Sequence, residues 1–173
     1  MPVISTLSRN HDRTGFDCGK PELNSFLRAT ARQHGDKGIS RTFVLCEPGK
    51  PAIILGYFTL TLCEVRTEEL PERYAKKYPA HGLPAVRLAR IAVARKFQGK
   101  GYDGLLLADA IQRTVFVAEQ AGVVGLFVDA KDESARRFYK KFGFVALPGH
   151  ALQLFLPLET LRKTMGIGIG QLR

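Results

Sequence analysis

The stretch Val86-Arg-Leu-Ala-Arg-Ile-Ala-Val-Ala-Arg-Lys-Phe-Gln-Gly-Lys-Gly-Tyr-Asp-Gly reads as a strand that passes through a glycine-containing turn, Gln98 to Gly104, into a long helix. A junction of this kind leaves the first N–H groups of the helix without intrahelical partners and adds the positive end of the helix dipole. Glycines let another group approach the main chain closely. The combination suits a pyrophosphate, so the chemistry to expect is the holding of a phosphorylated cofactor. The three cysteines, Cys18, Cys46 and Cys63, are odd in number and show neither metal-ligand nor redox spacing. They read as small buried side chains in a reducing compartment, without disulfides and without a metal.

The elements that must position this turn can be read from apolar spacing and punctuation. From Asp103 to Glu119 apolar residues recur at 106, 107, 110, 111, 115 and 118, which is helical spacing for one buried face. Val86 to Val93 is the strand before it. Further upstream, a turn at Cys18 to Pro21 leads into a helix with Leu23, Phe26, Leu27, Thr30 and Ala31 on one face. Its other face and the following loop carry Lys20, Arg28, Arg32, His34, Lys37 and Arg41. This basic strip is either a solvated helix face or one that meets a phosphate backbone. Arg41 to Glu47 and Ala52 to Val65 read as a hairpin around Pro48-Gly49-Lys50-Pro51. The polar stretch Arg66 to His81 holds a short helix at Glu68 to Tyr74. After the central helix come a strand at Gly125 to Ala130, a helix at Glu133 to Phe142 with Ala135, Phe138 and Phe142 inward, and a strand at Leu152 to Leu156.

The chain has 173 residues, of which 45% are hydrophobic, enough for one core, so a single domain over 1–173 is expected. No signal-peptide pattern and no membrane-spanning apolar run is present, which predicts a cytoplasmic protein with no membrane partner. Lys and Arg number 26 against 16 Asp and Glu, a formal charge of +10, which makes a polyanionic partner plausible.

Gln98-Gly99-Lys100-Gly101-Tyr102 matches the first five positions of the acetyl-CoA signature Arg/Gln-x-x-Gly-x-Gly/Ala, and so resembles the GNAT family of acetyltransferases. Asp132-Glu-Ser-Ala135-Arg-Arg-Phe-Tyr139 is similar to that family's second landmark, Asn-x-x-Ala-x-x-x-Tyr, and stands in the right order. The resemblance implies a single α/β (α+β) GNAT domain with a mixed, mostly antiparallel sheet, a V-shaped splay between strands, and flanking helices. It implies acetyl-CoA as co-substrate and no metal. Its contacts would come from the backbone of Ile91, Ala92 and Val93, from Gln98, Gly99, Lys100, Gly101, Tyr102, Asp103 and Gly104, and from Asp132 and Ala135. Tyr139 would be the catalytic acid.

Phe16-Asp-Cys-Gly-Lys-Pro-Glu-Leu-Asn-Ser-Phe-Leu and the strands that follow look like the GNAT toxins of bacterial type II toxin-antitoxin pairs. That branch implies acetylation of the α-amino group of aminoacyl-tRNA, which blocks translation. It also implies a ribbon-helix-helix antitoxin and operator DNA bound through the antitoxin complex. Arg28, Arg32, Lys37 and Arg41 would then face tRNA. The apolar last strand and the tail Met165-Gly-Ile-Gly-Ile-Gly offer an interface for a homodimer.

Acyl transfer to an amine needs a nucleophile and an acid for the departing thiolate. A phenol, with a pKa near ~10, stays protonated at neutral pH and can donate, which suits Tyr139; the same residue is also placed to be a core aromatic beside Phe138. No His/carboxylate pair supplies a general base, and Glu64 at a strand end is a weak candidate. An α-amino group titrates near ~7.7–8.0 and is partly neutral without a base, which favours an aminoacyl acceptor. The sixth signature position is Asp103 in place of Gly or Ala. A carboxylate about 4 Å from a phosphate charge costs about 1 kcal/mol in water and about 4 at intermediate dielectric, so a weakened or inactive form is expected unless the loop shifts. The alternatives are acetylation of protein N-termini or polyamines, or an inert subunit that binds its antitoxin and DNA.

Overall fold

The computed structural model describes residues 1–164. They divide into two compact units, Met1–Thr61 with Leu88–Ala110, and Leu62–Arg87 with the chain from Ile111. The strands are β1 (Val3–Thr6), β2 (Arg41–Glu47), β3 (Lys50–Arg66), β4 (Gly82–Val93), β5 (Gly125–Asp129), β6 (Val145–Leu147) and β7 (His150–Pro157). They form one open, seven-stranded sheet in the order β1-β2-β3-β4-β5-β7-β6. The pairs β1–β2, β2–β3, β5–β7 and β6–β7 are antiparallel. The mixed, mostly antiparallel architecture expected from the sequence is therefore present. The tail from Met165 onward lies outside the described residues.

In the first unit, the core gathers Phe16, Phe26, Leu27, Val44, Ile54 and Tyr57. Tyr57 is fully buried, and its hydroxyl is satisfied by donating to the Leu23 carbonyl at 2.8 Å. Burial pushes its phenol well above the usual range. A Cβ on Gly56 would stand 2.9 Å from both the Ala92 carbonyl and Leu106 Cδ1, so glycine in β3 permits β4 and the long helix to approach. That helix is α4 (Tyr102–Ala121); α1 and α2 span Pro21–Ser25 and Ala31–Asp36.

The helix expected from Pro21 onward is not continuous. Between α1 and α2 lies a π turn, Phe26–Thr30, in which the Ala31 N–H donates to the Phe26 carbonyl five residues back. The expected inward face survives, with Phe26, Leu27 and Ala31 buried and Leu23 and Thr30 partly so. On an unbroken α-helix Arg28 and Arg32 would share a face. Here Arg28 is exposed and Arg32 half-buried.

In the second unit, Val65, Leu70, Tyr74, Leu83, Phe127 and Phe155 form the core, with Phe127 stacked on Phe155 at 4.6 Å. A Cβ on Gly125 would fall on the Leu156 carbonyl and the Phe155 ring, so only glycine can begin β5. The helix expected at Glu68 to Tyr74 resolves into a 3₁₀ turn, Thr67–Glu69, and α3 (Glu72–Ala75), because Leu70 and Pro71 interrupt it in extended conformation. The last helix, α5, runs Glu133–Lys140. Phe138 and Phe142 are only partly buried, and the inward residue is Tyr139. No helix among the described residues is long and apolar enough to cross a membrane.

Candidate active site

The turn expected to cradle phosphates is braced from both sides. Where β4 ends, the Ala94 N–H donates to the Leu55 carbonyl and the Arg95 N–H to the Asp17 carbonyl, at 2.9 and 2.8 Å. The Gln98 side-chain amide then donates to the carbonyls of Val93 (3.0 Å) and Cys18 (3.3 Å). Gln98 thus shapes the turn by tying it to the strand it leaves. Sequence reasoning missed the support behind this brace. Asp17 Oδ1 accepts from Gly19 N–H and the Asn24 amide, and Asn24 Oδ1 accepts from Cys18 N–H. The polar residues of the Phe16-Asp-Cys-Gly stretch were the available signal.

Gly99 and Gly101 sit at φ +79° and +83°, and a Cβ at either would meet nothing within 4 Å. These glycines are required by the backbone path and not by packing. Among the described residues the N–H groups of Gly99, Lys100, Gly101, Tyr102 and Asp103 donate to no protein group. An open turn with free donors at the start of a helix is an anion cradle, and a pyrophosphate fits it. Tyr102 anchors the helix start by donating to Glu47 Oε1 at 3.4 Å. Lys100 Nζ lies 5.5 Å from the Phe97 ring centroid, which keeps its charge at the turn. A Gly101→Ala variant is expected to lose about 1–2 kcal/mol of stability, because an L-residue pays that for the left-handed region and there is no clash to relieve. Thermal unfolding measures it; an unchanged midpoint would show that the turn relaxes.

Asp103 is exposed, and its Oδ1 accepts from the Gly104 N–H at 2.8 Å. One donor of the cradle is therefore taken by the chain's own carboxylate. Ile91 and Val93 are partly exposed while Ala92 is buried, as alternation along β4 requires. Arg90 points its guanidinium at the Phe26 ring, 3.6 Å from the centroid. Glu64 lies against Gly82, where a Cβ would overlap its carboxylate.

The second unit carries the expected acid. Tyr139 is 5% exposed, its ring edge-on to Phe138 at 5.3 Å and tilted against Phe144 at 5.4 Å. Asp132 caps α5 by accepting from the Ala135 N–H at 2.8 Å. The landmark's first two polar and small positions are thus bonded to each other, which fixes the helix one turn before Tyr139. Of the basic strip, Arg28, Lys37 and Arg41 are exposed. Arg32 and Arg41 line one cleft, and Arg28 and Lys37 do not.

An open, mostly antiparallel sheet whose strand enters a glycine turn ahead of a long helix, with free N–H donors at that turn, defines a CoA-dependent acyltransferase. The chain belongs to the acetyltransferase (GNAT) domain family, which matches residues 38–146. It is 35% identical over 160 residues to a tRNA-acetylating toxin of Mycobacterium tuberculosis, covering 92% of this chain and 94% of that protein. It is 32% identical over 173 residues to a protein of Sinorhizobium fredii named "Probable toxin TacT", covering 95% of each. Among solved structures it is similar to AtaT complexed with acetyl-methionyl-tRNAfMet, with a TM-score of 0.86, 33% identity, and 98% and 99% of the two chains covered. AtaTR bound with AcCoA matches with a TM-score of 0.80 and 33% identity over 94% and 96% of the chains. A mutant AtaT toxin bound to the C-terminus of the antitoxin AtaR matches at 0.79 and 30% identity, also over 94% and 96%.

Proposed function

We propose that this chain is a toxin acetyltransferase that moves acetyl from acetyl-CoA to the α-amino group of an aminoacyl-tRNA and so stops translation. The observation that carries the reading is the glycine turn with its uncommitted N–H groups, in a chain 35% identical to a tRNA-acetylating toxin. Acetyl-CoA, when bound, supplies the acetyl thioester. The backbone of Ile91, Ala92 and Val93 holds its pantetheine arm, and the N–H groups from Gly99 to Asp103, with Lys100, hold its phosphates. Tyr139 Oη donates its proton to the departing sulfur and regains one from water. The bond formed is amine nitrogen to acetyl carbon, the bond broken is carbon to sulfur, and the amine's surplus proton leaves to water. An α-amino group, with a pKa near ~7.7–8.0, needs no strong base for this.

The rest of the system follows the same reading: a ribbon-helix-helix antitoxin, operator DNA bound through the complex, a homodimer and a cytoplasmic location. The AtaT–antitoxin complex supports the antitoxin. A second reading, an inert subunit that keeps its antitoxin but not its cofactor, is favoured by Asp103, whose carboxylate holds the Gly104 N–H. The deciding experiment is acetylation of total charged tRNA with labelled acetyl-CoA, run beside peptides and polyamines as competing acceptors. Label on the aminoacyl group of tRNA is the expected result. Label on peptide or polyamine alone would sink the tRNA reading.

A further inference from the structure

In the first unit, the segment Thr6 to Arg9 after β1, the helix α2 and the first residues of β2 enclose a cleft of about 250 Å³. Its walls carry Arg9, Arg32 and Arg41, with Asp36 as the one carboxylate and hydroxyl residues between them. None of the three guanidiniums has an ion pair or hydrogen bond to protein among the described residues, Asp36 included. Each guanidinium offers five donors in a planar fork that matches a phosphate. Three uncommitted forks around one recess leave a local charge of about +2, which an anion would relieve.

Size and lining narrow the ligand. Small-molecule sites usually enclose ~300–1,000 Å³ and are mostly apolar, whereas this recess is smaller and polar. A single phosphodiester with part of its sugar fits better than a metabolite. Nor can the recess serve the phosphates of the cofactor. The cradle is tied to β2 at Glu47 through Tyr102, and the recess opens at Arg41, six residues away along the same strand, or about 20 Å. Arg32, at the start of α2 just after the π turn, contributes its side chain to this lining while Arg28 does not.

We infer that this cleft seats one backbone phosphate of the acceptor tRNA, clasped by Arg9, Arg32 and Arg41; the inference rests on the tRNA reading above. Phosphate contacts fix the position of a protein on a nucleic acid without reading its sequence. The seat therefore sets which part of the RNA the protein occupies, and the rest of the basic strip adds only diffuse attraction. Asp36 weakens the hold on the phosphate, so its removal strengthens binding.

The test is the affinity of the full chain for purified, uncharged total tRNA, measured as salt is raised from about 50 to 200 mM. The double variant Arg9→Gln with Arg41→Gln should weaken binding at least about tenfold and flatten the salt slope by about one phosphate contact. Arg28→Gln with Lys37→Gln, which spares the cleft, should cost less than about threefold, and Asp36→Asn should tighten binding. Thermal unfolding of each variant checks that these surface changes leave the fold intact. Equal losses from the two double variants, or an Asp36→Asn variant that binds no better, would overturn the cleft's assignment while leaving the tRNA reading in place. A wild-type chain that binds no tRNA would overturn both.

Discussion

A Tyr139→Phe variant, made on the Asp103→Gly background so that cofactor binding is not limiting, is expected to turn over about 100 to 10,000 times more slowly. Its dissociation constant for acetyl-CoA should stay within about twofold. The reason is the economy of the change: the ring keeps its contacts with Phe138 and Phe144, and one oxygen is lost. The ring packing is therefore conserved while the proton donor disappears. The slowed variant should also depend more steeply on the leaving group, since a thiol of low pKa departs as its thiolate and needs the donor least. Steady-state turnover with aminoacyl-tRNA, together with calorimetric titration of acetyl-CoA, separates the two quantities. A loss below about tenfold would mean that water or another side chain protonates the sulfur.

Asp103→Gly should tighten acetyl-CoA binding by at least tenfold. Two effects add. The change removes a like charge from the site of the phosphates, worth from about fivefold to about a thousandfold depending on the local dielectric. It also releases the Gly104 N–H, which now donates to Asp103 Oδ1 at 2.8 Å, so that the cradle gains a donor. Folding should change little or weaken slightly, because a carboxylate in the first turn favours the helix dipole and a glycine there does not. Expression of the variant should arrest growth of a bacterial host without the antitoxin at lower levels than expression of the unaltered chain does. Equal dissociation constants for the two forms would show that the carboxylate does not oppose the cofactor, and the reading of a weakened variant would fall.

The part of the fold that rests on long periodic patterns was legible. In α4 the apolar positions 106, 107, 110, 111 and 115 are buried and 118 is half-buried, as the inward face of an amphipathic helix requires. β1 and β6 were not legible. β1 has four residues, Val3 is 55% exposed, and an edge strand paired on one side needs no buried face, so nothing alternates. In α5 the pattern pointed to Ala135, Phe138 and Phe142 as inward, yet all three are only partly buried and Tyr139 is the buried residue. Hydrophobicity ranked phenylalanine above tyrosine, while packing buried the tyrosine. The π turn left no mark either, since its residues are ordinary helix formers and only tertiary packing widens it.

At the candidate site, residue types were easier to read than their tasks. Gln98 and Asp132 stand out as polar residues in motif positions, yet both spend their side chains on the protein's own main chain. The partner of Gln98 at Cys18 is 80 residues distant in sequence, and no local pattern announces such a bond. The arginine cleft was invisible for the same reason: Arg9 lies far from the strip in the chain, and only the fold brings it beside Arg32 and Arg41.

Gly99 and Gly101, held at positive φ with open space around them, place on the turn a demand of handedness alone. Every other encoded residue is chiral and prefers the mirror-related half of conformational space, by about 1–2 kcal/mol at each such position. Size is therefore not the ground of exclusion there: even alanine, whose Cβ would meet nothing, is disfavoured. Lys100 between them meets no such demand. The backbone should accordingly accept any residue at 100, where only the charge of Lys100 is at stake, and resist every chiral one at 99 and 101, with asparagine, which tolerates the left-handed region best after glycine, as the least harmful trespass.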